Sequence, residues 1–128
     1  MPAARRSCCT PDQLEEWSAH FEVHLCVDRP SPGWRGEVGL VTSTLGRLRF
    51  DPDTAGALCG PEVMMRLAAS DLVAAGVAAK GLEVSLERSM SCAVAHCGRC
   101  QIGPVMLCRD GPVLSWPEAS VLMGVRRW

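Results

Sequence analysis

Hydrophobic positions along this chain change their period several times, and each change marks an element. Thr10-Pro11-Asp12 opens a predicted helix, with threonine placed as N-cap, proline in the first turn and Glu15 and Glu16 close behind; Leu14 and Trp17 share one face. Residues 21–27 (FEVHLCV) alternate apolar and polar before ending apolar, which predicts a strand; His20 and His24 there read as solvated or core-edge side chains. Residues 28–36 (DRPSPGWRG) form a Pro/Gly loop in which Trp34 is expected to plug a gap. Val38, Val41, Leu45 and Leu48 recur at three and four residues and predict a helix over 38–50, followed by a turn at Asp51-Pro52-Asp53. Residues 55–58 are a short strand of mostly small residues that runs into Cys59-Gly60-Pro61-Glu62. A helix from about 61 to 75 follows, apolar at Val63, Met64, Leu67, Leu72 and Val73, with Gly76 just past its end. Residues 82–86 predict a third strand. Strand–helix–strand–helix–strand at this spacing points to an α/β fold with a parallel, doubly wound sheet. Beyond it, residues 105–107 and 113–115 predict a hairpin across Arg109-Asp110-Gly111-Pro112, and residues 117–122 a terminal helix.

Composition narrows the setting. A chain of 128 residues is long enough for an ordinary core, and a net charge of −1 with both signs dispersed argues against nucleic acid or an anionic membrane as partner. No apolar run approaches the roughly 20 residues of a membrane helix. The start, MPAARRSCCTPDQ, has two arginines without an apolar core behind them; residues 1–10 are expected to be a disordered leader and not a secretory signal. Of the eight cysteines, half fall in one ligand-spaced cluster, while Cys8, Cys9, Cys26 and Cys59 show no pairing logic. That favours a reducing, cytoplasmic setting with metal-bound thiolates.

The cluster reads C-AVAH-C-GR-C-QIGPVML-C, with gaps of four, two and seven residues between Cys92, Cys97, Cys100 and Cys108. This order matches the plant-type pattern for a 2Fe–2S cluster. Small residues at Ala93, Ala95, Gly98 and Gly103 let a tight loop turn its amides inward towards sulfur. A closed zinc site, making a structural or interaction module, is the alternative; its usual spacing is two separated C-x2-C knuckles, whereas these ligands are clustered and the first gap is four. His96 stands between two of the cysteines, but four thiols are present without it. The Cys59-Gly60-Pro61-Glu62 turn is the second candidate. It lies at a strand's carboxyl end and opens a helix, where open α/β sheets bind ligands and where negative charge is favoured. Read on its own, Cys59 serves equally well as a small buried hydrophobe.

The succession CGPEVMM, helix, VSLERSMSC-x4-C-G-x-C-x-I-G-P-x3-C-x-DGPV resembles one group of the ferredoxin-reductase-like superfamily, over nearly the whole chain from about Gln13 to Trp128. These are flavin-containing electron-transfer subunits with a 2Fe–2S module at the C-terminus. They include the gamma subunits of soluble NAD(P)-linked nickel–iron hydrogenases (sulfhydrogenases), the electron-transfer subunit of dihydroorotate dehydrogenase and a subunit of anaerobic sulfite reductase. GWRGEVGLV and DGPVLSWPEA look most like the hydrogenase gamma type. The resemblance implies the second half of a nicotinamide-binding domain over residues 11–87 and a 2Fe–2S module over 88–128. By the same resemblance Cys92, Cys97, Cys100 and Cys108 are cluster ligands, and Cys59, Gly60, Pro61 and Glu62 line a hydride-transfer pocket, with Asp28 a lesser candidate. The relay it implies runs from NAD(P)H to FAD, to the cluster, to a partner enzyme of hydrogenase, dihydroorotate dehydrogenase or sulfite reductase type. The chain has no tyrosine and no G-x-G-x-x-G run, so the family's flavin barrel and first nucleotide loop have no counterpart in it. By itself it is not expected to bind FAD tightly or oxidise NADH, and Val23, Leu25 and Val27 are expected to lie on an open sheet edge. The family commonly has glycine where this chain has Ala93 and Ala95.

Overall fold

The computed structural model describes residues 11–124, which divide into two compact units, Met1–Leu40 and Val41–Trp128. Thr10, the expected N-cap, and Cys8 and Cys9 lie outside the described residues.

In the first unit, α1 (Pro11–Ser18) forms where the cap pattern places it, and Ser18 Oγ closes its last turn on the Leu14 carbonyl over 2.7 Å. The strand expected over 21–27 shrinks to β1 (Cys26–Val27), which pairs in parallel with β2 (Glu37–Val38). Phe21 and Leu25 are exposed at 69% and 42%, so the alternation at 21–25 has no layer to face. A two-residue parallel ladder fixes too few dihedrals against too few bonds to extend itself. Trp34 is half-buried, its Nε1 donates to the Glu37 carbonyl over 3.0 Å, and its ring packs against Gly36, which bears out the plug.

The second unit is built on β3 (Gly56–Cys59), α3 (Glu62–Ala74) and β4 (Leu82–Ser85), with a 3₁₀ turn at Ala79–Gly81 leading into β4. β3 and β4 run parallel in the register Gly56↔Leu82 to Cys59↔Ser85. α3 ends as its sequence predicts. Gly76 takes φ 103°, its N–H reaches the Val73 carbonyl, and the Val77 N–H returns to Leu72 over 3.0 Å, a Schellman closure whose apolar pair, Leu72 and Val77, lies in the core. The helix expected over 38–50 is reduced to α2 (Val41–Leu45), because Val38 is taken by β2 and Gly39 adopts φ 149°.

The expected hairpin between 105–107 and 113–115 does not form. β5 (Gln101–Ile102) pairs antiparallel with β6 (Val105–Met106) across a two-residue Gly103-Pro104 loop. Gly103 takes φ 56°, the conformation a tight turn of the II′ kind asks of glycine at its first central position. α4 (Leu107–Asp110) then coils, braced by the Asp110 carboxylate, which accepts the Met106 N–H over 2.8 Å. β7 (Val113–Ser115) pairs antiparallel with β4 instead, so the sheet is mixed in the order β3-β4-β7. Residues 88–128, read from the sequence as a module of their own, thus contribute a strand to the sheet of the second unit. α5 (Trp116–Met123) closes the fold from a capping box in which Ser115 and Glu118 satisfy each other's backbone. The fold is mixed α/β, with small parallel and mixed sheets.

The core sits on one face of β4. Leu82, Val84 and Leu86 are all 0% exposed and meet Met65, Ala69 and Leu72 of α3, Leu107 of α4, and Trp116 and Ala119 of α5. The buried side of α3 is Met65, Ala68, Ala69 and Leu72; of the residues expected on its apolar side, Val63, Leu67 and Val73 are exposed, because the helix turns its small-residue face to the sheet. Leu86→Ala should therefore cost about 2–5 kcal/mol, as buried leucine truncations do. Val121→Ala, at 69% exposure, should stay within about 0.5 kcal/mol. Urea unfolding of the two variants beside the parent checks both.

Candidate metal centre

The loop carrying the four clustered cysteines leaves the sheet at β4 and comes back at β7. Its stem is clamped where the Leu86 N–H donates to the Pro112 carbonyl over 2.8 Å. Just beyond, Arg88 donates to the Glu87 carbonyl and forms an ion pair with Glu62 in the first turn of α3. Arg88 is 15% exposed, so the pair is partly desolvated.

Within the loop, φ is positive at Ala93 (57°), Ala95 (56°) and Gly98 (73°). Alternating the sign of φ along a short stretch turns successive amides to one side, the geometry of an anion-binding nest. The acceptors of these amides are sulfurs. Ala95 N–H donates to Cys108 Sγ over 3.2 Å, and His96 and Cys97 N–H both donate to Cys92 Sγ over 3.3 Å. Ala93 and Ala95 are the non-glycine residues with positive φ among the described residues, and each such alanine costs on the order of 1 kcal/mol.

These hydrogen bonds set the thiol chemistry. The amides of Val94, Cys97 and His96, followed by the Cys97 thiol, hold the Cys92 thiol down to about 6. Cys100 and Cys108 shift in opposite directions. The Cys108 N–H and thiol lower the pKa of Cys100, while the hydrogen bond to Cys100 raises that of Cys108 against the opposing Ala95 amide. Both Cys100 and Cys108 also feel the charge of Cys92. Cys100 is 2% exposed within the core cluster, Cys92 and Cys108 are half-buried, and Cys97 is exposed. Among the described residues no group of three or more His, Cys, Asp or Glu side chains stands gathered around a metal-ion position. Next to the last cysteine, the Arg109 guanidinium, helped by the Met106 amide, holds the Asp110 carboxyl down to about 2.

The second sequence-predicted group lies beside the loop's stem. Cys59 ends β3 and is exposed, which overturns its reading as a buried small hydrophobe. Gly60 takes φ 152°, a backbone conformation that residues with a Cβ rarely adopt, so the turn suits glycine. Gly60, Pro61, Glu62, Met65 and Glu87 line an open groove of about 390 Å³. Asp28 lies in the first unit and is exposed.

No family model matches the chain. Among curated proteins, the sulfhydrogenase 2 gamma subunit of Pyrococcus furiosus is 31% identical over 123 residues, covering 87% of this chain and 43% of that protein. A probable dihydroorotate dehydrogenase B (NAD(+)) electron transfer subunit of Thermococcus kodakarensis is 36% identical over 114 residues, 89% of this chain and 45% of that one. The sulfhydrogenase 1 gamma subunit of Pyrococcus furiosus is 32% identical over 90 residues, 66% of this chain and 31% of the relative. The chain is homologous to these subunits. It spans less than half the length of each of them.

The homologous stretch contains a link that the sequence motifs do not reveal. CGPE and SLER are separate on paper, and the Glu62–Arg88 pair that joins them spans 26 residues, with no local period to announce it. A double-mutant cycle with Glu62→Gln and Arg88→Gln should give a coupling of about 1 kcal/mol, read from urea unfolding of the metal-free chain. The same cycle at Arg109 and Asp110, with side chains 60% and 34% exposed, should give only a few tenths of a kcal/mol. Equal couplings would deny the stem pair its special role.

Proposed function

We propose that this chain is the cluster-bearing part of an electron-transfer subunit, and that Cys92, Cys97, Cys100 and Cys108 ligate a 2Fe–2S cluster. The observation that carries this reading is the nest of inward-turned amides, from Ala95, His96 and Cys97, aimed at Cys108 Sγ and Cys92 Sγ in a loop whose cysteines follow the C-x4-C-x2-C order. A closed zinc site usually takes its thiolates from two separated C-x2-C knuckles, whereas these four are clustered. The donor set fits. It offers four thiols, one of them with its pKa already low, and amides aimed at sulfur where the added negative charge of a cluster is best met. When bound, such a cluster supplies a one-electron carrier with a potential of about −400 mV, close to that of a nicotinamide couple.

The chain's own residues divide the remaining work. Cys100 anchors the loop to the core, and exposed Cys97 keeps the other end near the surface, where a redox partner can approach. Gly60, Pro61 and Glu62, at the start of α3 and next to Cys59 at the end of a parallel strand, line the groove in which a nicotinamide or flavin ring of the complete assembly would rest. Residues 11–87 then act as the second half of a doubly wound nicotinamide-binding domain, and residues 88–128 as the cluster module. The partner is a subunit of the hydrogenase or dihydroorotate dehydrogenase kind, in keeping with the names of the relatives. No helix among the described residues is long and apolar enough to cross a membrane, and oxygen-labile thiolate ligands suit the reducing cytoplasm.

Protein reconstituted without oxygen should carry two irons and two sulfides per chain. Alanine at any one of Cys92, Cys97, Cys100 or Cys108 should abolish the visible absorption, and Cys26→Ala should leave it intact. Metal and sulfide analysis together with the spectrum decides the matter; one tightly held zinc with no sulfide would replace this reading with that of a structural zinc module.

A further inference from the structure

Ala93, Val94 and Ala95 form an alternating run in which the outer two residues take positive φ and the middle one does not. Elsewhere the same loop uses glycine for this purpose, at Gly98 and Gly103. Nothing packs the two methyl groups in compensation, since Ala93 is exposed and Ala95 only half-buried. What the left-handed backbone achieves is the aim of the Ala95, His96 and Cys97 amides at Cys108 Sγ and Cys92 Sγ. The left-handed backbone at these two alanines is therefore the strain at which the three amides reach the two sulfurs.

We infer that Ala93 and Ala95 are positioning residues whose left-handed backbone holds the amide nest on the sulfurs under strain, so that the closed loop stands close in free energy to a relaxed one and gives up a bound metal–sulfur group more readily. The inference rests on reading the loop as a cluster site, and it makes cluster retention weaker than glycine at the same positions would allow. Glycine acts in opposite directions along the run. At 93 and 95 it removes the left-handed penalty, which outweighs its extra freedom in the open chain; at 94 that freedom is all it adds.

The test uses the full chain, loaded anaerobically, as parent, Ala93→Gly, Ala95→Gly and Val94→Gly. Loss of visible absorption to an excess of chelator should slow about fivefold in each of the two alanine variants and quicken in Val94→Gly. In the metal-free chain, amide hydrogen exchange at residues 95–97 should slow in the first two and quicken in the third. If all three glycines leave loss unchanged or hasten it, the inference is overturned while the cluster stands. If no version takes up iron and sulfide, the cluster reading itself falls. The metal-free exchange then decides alone, with unchanged or faster exchange in the two alanine variants overturning the poised loop.

Discussion

The burial of one face of β4 is the constraint from which the second unit follows. Leu82, Val84 and Leu86 give up all contact with water, and the elements that cover them are α3 before the cysteine loop, α4 within it and α5 after it. β4 also takes a parallel neighbour on one edge and an antiparallel one on the other. The cysteine loop is the excursion between two paired strands of one sheet, so its ends cannot drift apart without opening the core. That gives a short, irregular segment with little regular structure of its own a fixed stem.

Above that stem, electrostatics takes over from packing. Amides aim at Cys92 Sγ and Cys108 Sγ, and those around Cys92 hold its thiol low. Cys100, pinned among apolar side chains, is lowered by the Cys108 N–H and thiol, while the hydrogen bond to Cys100 raises Cys108. The Glu62–Arg88 pair ties the stem of this region to the turn that opens α3.

The relatives place these features in a larger frame. They are subunits of multi-subunit enzymes by name, and the homologous stretch covers less than half of each. Within that stretch, the turn at Cys59–Glu62 is joined to the stem of the four-cysteine loop by the Glu62–Arg88 pair.

Much of this was legible along the chain because its cause is local. The cysteine spacing, the N- and C-terminal signals of α3, the alternation of β4 and the small residues of the cysteine loop each depend on neighbours a few positions away. The sequence alone therefore determined which residues could act as metal ligands and which helix would open beside them. What tertiary structure decided is the pairing. Residues 105–106 and 113–115 both have strand character, yet one found its partner across Gly103-Pro104 and the other beside β4, since a strand's partner is set by whichever pairing also buries the common core. Residues 21–25 have the alternation of a strand and no layer against which to use it, Cys59 faces water because its strand is an edge of the described sheet, and Arg88 meets Glu62 through a contact that no periodicity encodes. Short-range chemistry is written in order along the chain; long-range pairing is a choice among competitors, and the free energy of the whole core makes it.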